Sequence, residues 1–358
     1  MWPYWFVFLA PAAVALLGRI QRKRLFRAMP SGRLNGAWIL LTIALTLFIG
    51  LRVEVGADWF NYYRYLEFAE NKGILALIGM EDPGYMLLNG LSLELGAGIF
   101  GVNVIGAFFF SIGLVVFCRS LPRPWLALAV AMPYAVIVVG MGYTRQGIAL
   151  GFAMLGLVAL GRRSTMWFVV WVVIGATFHK SAVLLLPIAA LASSRGRYWT
   201  LMWVGVVGLV AYYVLLADSV DALYQNYVEA EYQSQGALIR LTMNALPAAI
   251  LLVFQGRFRF GSSEALLWRW FAIISLTLLA LLLVTSASTA VDRVALYMLP
   301  LQMVVFSHLP NVVGVDGRRN DQIVFSVLLY YATVLFVWFN FATHAEYWLP
   351  YRFLPLDV

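Results

Sequence analysis

Long apolar runs with almost no charge recur along this chain, and they restrict its possible folds more than any other feature. The segments 40–49 and 167–176 are typical, and neither contains a charged residue. A run of about 20 apolar residues crosses a hydrocarbon core of about 30 Å as an α-helix, which satisfies its own backbone hydrogen bonds. A transmembrane barrel needs apolar and polar residues in alternation, and these runs do not alternate. The sequence therefore predicts an all-α, polytopic membrane protein.

The composition agrees with a transmembrane helical bundle. Of 358 residues, 63% are hydrophobic and 12% are charged, whereas a soluble domain carries about 25% charged residues. We expect one integral membrane domain over residues 1–358, with about 12 spans (10–14). The segments 165–178 and 181–193 are short, and they form either two half-helices meeting at His179-Lys180 or two tilted spans. The candidate spans are 2–17, 36–51, 99–118, 124–141, 145–161, 165–178, 181–193, 199–216, 238–255, 266–285, 292–308 and 322–343.

The basic residues predict the orientation of the bundle. If the loop 18–35 lies inside, the inside segments hold 17 of the 25 Lys and Arg residues but only three of the 17 acids. This bias follows the positive-inside rule, and twelve spans then place both termini outside. The first apolar segment precedes its basic cluster, the reverse of a cleavable signal peptide, so we expect a first span there. Topology also accounts for the net charge of +8, and we expect no nucleic-acid partner.

Two outside segments are long. In residues 52–98 we expect an interfacial helix at 59–71 and a segment at 85–95 that dips back into the membrane. The second segment, 217–237, combines acids with tyrosines, a composition that suits sugar binding, although an ordinary solvated loop is the favoured interpretation.

Several chemistries are disfavoured by the residues available. Cys118 is the only cysteine, so an intramolecular disulfide and a cysteine metal cluster are excluded. The three histidines are far apart in the sequence, and no phosphate-binding Gly-Lys-Ser/Thr loop occurs. We therefore expect no metal, no cofactor and no ATP-driven pump.

Four cations lie at the outside ends of predicted spans: Arg52, Arg145, Lys180 and Arg293. Charge at this depth needs a partner or a water-filled cavity. The fork of an arginine matches phosphate oxygens, so the four predict an anion site, and a lipid-linked pyrophosphate would lie at this depth. For Arg52 the alternative is an arginine at a helix end with local acid partners. For His179 the alternative is a hydrogen-bonded core histidine.

The same stretches carry a family resemblance. The chain resembles the EpsG family of exopolysaccharide and O-antigen (Wzy-type) polymerases across about residues 50–300, with one departure at Asp82, which separates Glu81 from Pro83. The matching pieces are Leu51-Arg52 with Gly56-Ala57-Asp58 and Tyr62, Glu81-Asp82-Pro83-Gly84-Tyr85, Arg145-Gln146-Gly147-Ile148-Ala149, Phe178-His179-Lys180-Ser181-Ala182, and Asp292-Arg293 with Tyr297.

The resemblance implies a metal-independent membrane glycosyltransferase of GT-C-like architecture in the bacterial cytoplasmic membrane, with its active site facing the periplasm or outside. Its substrate would be an undecaprenyl-pyrophosphate-linked oligosaccharide, and the growing glycan would move to the non-reducing end of another lipid-linked repeat unit. Besides membrane lipids, it implies a separate flippase and a chain-length regulator as partners.

This reaction gives roles to the candidate residues. A single inverting displacement needs a base, for which we rank Asp58, then His179, then Glu54. Arg52, Arg145 and Arg293, supported by Lys180, would stabilise the departing pyrophosphate. Aromatic belts at membrane interfaces are an alternative for the tyrosines. The substrate-binding candidates are Tyr62, Glu81, Tyr85, Tyr143, Gln146, Asp292 and Tyr297.

Two other functions would use the same cations. A flippase or transporter of lipid-linked oligosaccharides should have polar groups near the middle of the membrane and internal repeats, whereas here the polar residues gather at span ends, which favours the enzyme. A ligase that moves the finished glycan to another acceptor would share the donor chemistry, and the sequence does not separate it from a polymerase.

Overall fold

The computed structural model describes residues 1–17, 35–191, 197–215, 236–285, 288–315 and 318–356. Of the residues in those ranges, 84% are helical, and none of them forms a strand. The helices are α1 (Trp2–Leu17), α2 (Gly36–Gly50), α3 (Trp59–Ala69), α4 (Ile74–Ile78), α5 (Pro83–Glu94), α6 (Gly98–Ser120), α7 (Pro124–Ala131) with its π-helical continuation Met132–Gly140, α8 (Thr144–Gly161), α9 (Thr165–Phe178), α10 (Leu186–Leu191), α11 (Arg197–Leu215), α12 (Ala237–Val253), α13 (Ser262–Val284), α14 (Ser288–Ala295), α15 (Leu299–Val312) and α16 (Asp321–Phe341).

The predicted spans fall on helices wherever the structure describes them. Among the described residues, five helical stretches are long and apolar enough to cross a membrane, and six further apolar helices have 10–17 residues. The all-α prediction is confirmed, whereas the count of twelve spans and the GT-C-like architecture stay predictions. Residues 192–193, 216 and most of the predicted loop 217–237 lie outside the described residues. The five stretches are Gly98–Ser120, Thr144–Gly161, Ser262–Val284, Ser288–Val312 and Asp321–Phe341.

The centre of the bundle is the segment that begins with α7. Every residue from Leu126 to Gly142 is buried. A helix that is apolar on all sides lies inside a bundle rather than at its surface, which is where this segment packs, against α1, α15 and α16. The neighbouring pair α6 and α8 makes a backbone contact, because a Cβ on Gly113 would overlap the carbonyl of Gly151.

One polar network holds the second half of the chain together. Tyr331 on α16 donates to Gln302 on α15 at 2.7 Å, and Gln302 donates to Asn244 on α12 at 2.7 Å. Asn244 in turn donates to the carbonyl of Ala295 at 2.8 Å. Each side chain is buried with hydrogen bonds, so the network fixes α12, α14, α15 and α16 to one another.

The segment between α2 and α6 forms three short helices that cover one end of the bundle. α3 buries Trp59, Tyr62 and Leu66 and exposes Phe60 and Tyr63. α5 packs on α6 and α9. The helices lie at the positions expected for an interfacial helix and a re-entrant segment, and their placement in a membrane stays a prediction.

The chain is interrupted after α9, at the predicted junction of two half-helices. His179 is extended, with φ −154° and ψ 110°. A 3₁₀-helix, Lys180–Leu185, follows and leads into α10. This break brings His179 and its neighbours to the same end of the bundle as α3 and α5.

Candidate functional site

A cavity of about 340 Å³ opens where α3, the start of α8, the break after α9 and the end of α14 meet. Seven of the residues predicted for the site line it, although the sequence distributes them over more than 230 positions. The lining residues are Asp58, Asn61, Tyr62, Arg64, Tyr65, Phe68, Tyr143, Arg145, Gln146, His179 and Arg293.

Arg145 is the second residue of α8, and Asp82 holds its guanidinium. Nη1 donates to Oδ2 of Asp82 at 2.7 Å, and the guanidinium carbon lies 4.5 Å from the ring centre of Tyr65. This hydrogen bond uses one of five N–H donors. In the part of the chain that the structure describes, no other hydrogen bond to the Arg145 guanidinium is formed. An anion in the cavity therefore meets an oriented arginine with donors to spare.

Asp82 is placed by the local sequence around it. It directly precedes Pro83, the first residue of α5. A Cβ on Gly84 would overlap Thr177, so α5 begins directly against the end of α9. The backbone N–H of Lys180 donates to Oδ1 of Asp82 at 3.1 Å. Burial raises the pKa of the Asp82 carboxyl to about 6, and the guanidinium of Arg145 opposes that rise.

Arg293, the second cavity arginine, is positioned by α8 and by Tyr143. Its guanidinium carbon lies 5.8 Å from the ring centre of Tyr143, and its backbone carbonyl accepts from Nε2 of Gln146 at 2.7 Å. The preceding residue, Asp292, faces away and receives two hydrogen bonds from Arg240, at 2.8 and 2.6 Å. The partner of Asp292 is thus Arg240 on α12.

Asp58 lies at the start of α3 and is the carboxylate of the cavity wall. Its side chain accepts a long hydrogen bond from Asn61, at 3.5 Å. Partial burial raises the pKa of Asp58, and the positive charges of Arg293 and Arg145 act in the opposite direction. A carboxylate with a raised pKa that lies beside two arginines has the electrostatic properties of a general base near an anion site.

His179 is held by the residue two positions later. The backbone N–H of Ser181 donates to Nδ1 at 3.3 Å, the hydroxyl of Ser181 lies 2.6 Å from the same nitrogen, and that hydroxyl also contacts Tyr297 at 3.2 Å. Because Nδ1 accepts from a backbone N–H, the neutral ring is assigned the tautomer with its proton on Nε2. In this tautomer Nδ1 is engaged by Ser181 and Nε2 carries the proton, so His179 is a hydrogen-bond donor rather than a ready base.

Arg52 lies outside the cavity lining and is fully buried. Each of its three guanidinium nitrogens donates to protein: Nε to Val55 O at 3.0 Å and Nη1 to Ile49 O at 2.6 Å. Nη2 donates to Thr144 at 3.0 Å and to Asn103 at 3.4 Å. The structure therefore gives this predicted pyrophosphate ligand the contacts of a structural arginine that ties the end of α2 to α6 and α8.

The remaining predicted residues lie around the cavity and not on its wall. Lys180 forms an ion pair with the exposed Glu81, and Glu54 forms one with Arg352 at 2.6 Å. Tyr85 and Tyr297 are buried in the packing beneath. The residues predicted for the site that do not line the cavity are Arg52, Glu54, Glu81, Lys180, Tyr85, Asp292 and Tyr297.

Sequence reasoning missed one wall of the cavity, which α3 supplies through Asn61, Arg64, Tyr65 and Phe68. The signal was present, because residues 61, 65 and 68 share one helix face at a spacing of four and three. Sequence reasoning likewise gave no role to Asp82, the partner of Arg145, which stands out only as an extra acid between Glu81 and Pro83.

The described residues do not bring a cluster of metal-ligating side chains together. Among them, no three His, Cys, Asp or Glu side chains come together in a way that could hold an ion. The expected absence of a metal stays a prediction.

The helical bundle and its cavity define a membrane protein with several arginines lining a cavity at one end of its helices. The family comparison makes this class specific. The chain belongs to the EpsG family, whose model matches residues 37–353, and it is a membrane protein of the polysaccharide-polymerase type. The comparisons with curated proteins and with solved structures gave no match.

Proposed function

We propose that this protein is a polymerase of lipid-linked glycans. It moves the growing glycan from an undecaprenyl-pyrophosphate carrier to the non-reducing end of another lipid-linked repeat unit. The reaction takes place on the periplasmic or outer face of the bacterial cytoplasmic membrane. The observation that carries this proposal is that Arg145 and Arg293 line one cavity together with Asp58.

The anion site of this proposal consists of Arg145 and Arg293. Asp82 and Tyr65 hold the first guanidinium, and Tyr143 lies beside the second, so both are oriented before a substrate arrives. Preorganised donors stabilise charge that develops in the transition state, and removing one typically costs about 10²–10³ in rate. Arg52 and Lys180 are assigned supporting roles, because neither side chain lines the cavity.

The transfer is a single inverting displacement. The hydroxyl oxygen of the acceptor sugar attacks the anomeric carbon of the donor glycan and forms the new glycosidic bond. The bond from that carbon to the pyrophosphate oxygen breaks, and its electron pair leaves with the pyrophosphate, against Arg145 and Arg293. Asp58 takes the proton of the attacking hydroxyl. His179, with its proton on Nε2, donates a hydrogen bond to the substrate.

The experiment uses purified protein in nanodiscs with a synthetic undecaprenyl-pyrophosphate oligosaccharide, without nucleotide or added metal. Products are resolved as a ladder on a gel for the wild type, Arg145→Ala and Arg293→Ala. The matched control is Arg269→Ala, an exposed arginine on α13 that does not line the cavity. We expect a ladder for the wild type and the control, and its loss in both cavity variants while each still elutes as a folded monodisperse protein.

The rival functions give different outcomes with the same material. Transfer of one finished glycan to a foreign acceptor, without a ladder, would identify a ligase. Movement of the labelled lipid across a liposome bilayer, without new glycosidic bonds, would identify a flippase. Either result overturns the polymerase proposal.

A further inference from the structure

The described end of the chain folds back over the cavity end of the bundle. After α16 ends at Phe341, residues 342–356, here named the C-terminal strap, run beside residues 51–56, which follow α2. Three backbone hydrogen bonds join the two segments: Gly56 N to Tyr347 O at 2.9 Å, Val53 N to Arg352 O at 3.1 Å, and Leu354 N to Leu51 O at 2.9 Å.

The segment that the strap holds leads directly to Asp58. Gly56, two residues earlier, has a φ of +106°, which favours glycine. A Cβ at Gly56 would lie 2.6 Å from the carbonyl oxygen of Met141 and 3.2 Å from the Cα of Gly142. The backbone before Asp58 therefore packs on the backbone that leads into α8 and Arg145.

Trp348 is the strap residue that contacts this second backbone. It is 2% exposed, and its Nε1 donates to the carbonyl oxygen of Ile137 at 2.8 Å. Its ring also lies against Gly142, where a Cβ would be 2.7 Å from Cζ2. Ile137 belongs to the π-helix, and Gly142 lies between that helix and α8, three residues before Arg145. Trp348 therefore contacts the backbone that leads from the π-helix into α8 at two points.

Residues of α1 and α16 hold Trp348 in place. Tyr4 on α1 donates its hydroxyl proton to the carbonyl oxygen of Trp348 at 2.7 Å, and the ring of Trp338 on α16 meets the indole edge-on, with centroids 4.9 Å apart. The indole thus has one position, and the backbones of residues 51–58 and 137–145 are set relative to it.

We propose that Trp348 is a positioning residue that sets how Asp58 and Arg145 face each other across the cavity. It touches neither side chain and acts through Gly142 and Ile137 on one side and through the strap and Gly56 on the other. The catalytic consequence rests on the proposed function, but the positioning itself does not. A displacement of about 1 Å in reacting groups can cost about 10²-fold in rate.

The test compares Trp348→Phe with Trp268→Phe in the full-length protein. Phenylalanine keeps a ring but removes the N–H that Ile137 accepts. Trp268 is equally buried, at 3% exposure, packs on Phe271, and lies away from the cavity lining. Two readouts are taken on each protein: backbone hydrogen exchange in residues 51–58 and 137–147, and kcat and KM for glycan transfer. Gly142→Ala, which pushes into the same ring, is a second variant that perturbs the contact from the opposite side.

We expect exchange in the two segments to accelerate by up to about tenfold in Trp348→Phe, the size of one lost hydrogen bond, and to be unchanged in Trp268→Phe. We expect kcat to fall by about 10- to 100-fold with KM nearly constant. Gly142→Ala should reproduce both effects. Exchange that matches the Trp268 control, or faster exchange with an unchanged kcat, overturns the proposal. If the wild type transfers no glycan but exchange still accelerates selectively, the positioning holds and the proposed function fails.

Discussion

Nη1 of Arg145 donates to Oδ2 of Asp82 at 2.7 Å, across 63 positions of sequence. The Asp82 side chain is 3% exposed and that of Arg145 is 21% exposed, so the carboxylate is the buried member and the arginine the one that reaches the cavity. The pair therefore turns a flexible cation into a fixed one, with one donor bound to protein and the others available to an anion.

Removing the Asp82 carboxylate should displace the guanidinium of Arg145 from its present position. In Asp82→Ala the guanidinium loses its orienting acceptor, and we expect kcat/KM for glycan transfer to fall by about 10- to 100-fold. Asp82→Asn keeps one oxygen, which can accept from Arg145 or from the N–H of Lys180 but not from both in the present geometry, so its activity should lie between those of wild type and Asp82→Ala.

The neighbouring acid supplies the control for that variant. Glu81 pairs with Lys180, whose side chain is 12% exposed, but 56% of the Glu81 side chain is exposed, so water screens its charge and the pair should contribute little. Glu81→Gln should keep nearly full activity. Equal losses in Glu81→Gln and Asp82→Ala would show that the two acids act on the site alike and would contradict the role assigned to Asp82.

The same carboxyl should make stability depend on pH. Its pKa is about 6 in the folded protein against an ordinary 3.8. A carboxyl with a raised pKa stabilises the fold below its unfolded pKa, and that contribution is lost as the pH rises through about 6. The rise of about two pKa units corresponds to about 3 kcal/mol.

Thermal unfolding of wild type and Asp82→Asn in one detergent measures this linkage. The amide cannot titrate, so the Tm difference, wild type minus variant, should be greater at pH 4 than at pH 7.5. A difference that stays flat or grows toward pH 7.5 would show that the folded-state pKa of Asp82 is not raised.

The helices were predictable because membrane-spanning helices need local apolar runs, and local runs are visible in a sequence. The residues 2–17 and 165–178 became α1 and α9 with unchanged bounds. The break after α9 was visible too, since His179 and Lys180 interrupt an apolar stretch. Seven of the predicted site residues also came together, because polar side chains at one end of a bundle have little room to separate.

The partners of those residues were not predictable from the sequence. Asp82 reaches Arg145, and Arg240 reaches Asp292, over separations of 63 and 52 positions that no periodicity encodes. Arg52 shows the converse, because two of its acceptors are backbone carbonyls of residues only three positions away in the sequence. Every sequence has such carbonyls, so a structural arginine and a ligand-binding one look the same until the backbone is known.

Asp58 should carry the proton transfer. Asp58→Asn keeps the shape of the side chain but removes the base, and we expect kcat to fall by about 10²–10⁴ with binding of the lipid-linked donor retained. Because the base works when deprotonated, wild-type kcat should rise with pH through the raised pKa of Asp58. Glu54→Gln is the control, since Glu54 forms a half-exposed pair with Arg352 away from the cavity lining. Retained activity in Asp58→Asn together with loss in His179→Gln would transfer the role to His179.

Arg52 and Arg145 should separate stability from anion binding. Arg52 is 0% exposed and donates to two carbonyls, Thr144 and Asn103, so Arg52→Met leaves buried acceptors without donors and should cost about 3–5 kcal/mol of stability.

Because Arg52 does not line the cavity, the fraction of Arg52→Met that stays folded should bind lipid-linked pyrophosphate within about twofold of wild type. Arg145→Met should bind at least about tenfold more weakly, since it removes a charge-assisted donor from the site, and its Tm should also fall because the buried Asp82 loses its partner. Binding is measured by titrating labelled lipid into nanodiscs at a temperature where circular dichroism shows each variant to be folded. An Arg52→Met protein with wild-type Tm and lost affinity would return Arg52 to the anion site, because only a ligand-binding arginine can be removed without loosening the helix ends that it otherwise joins.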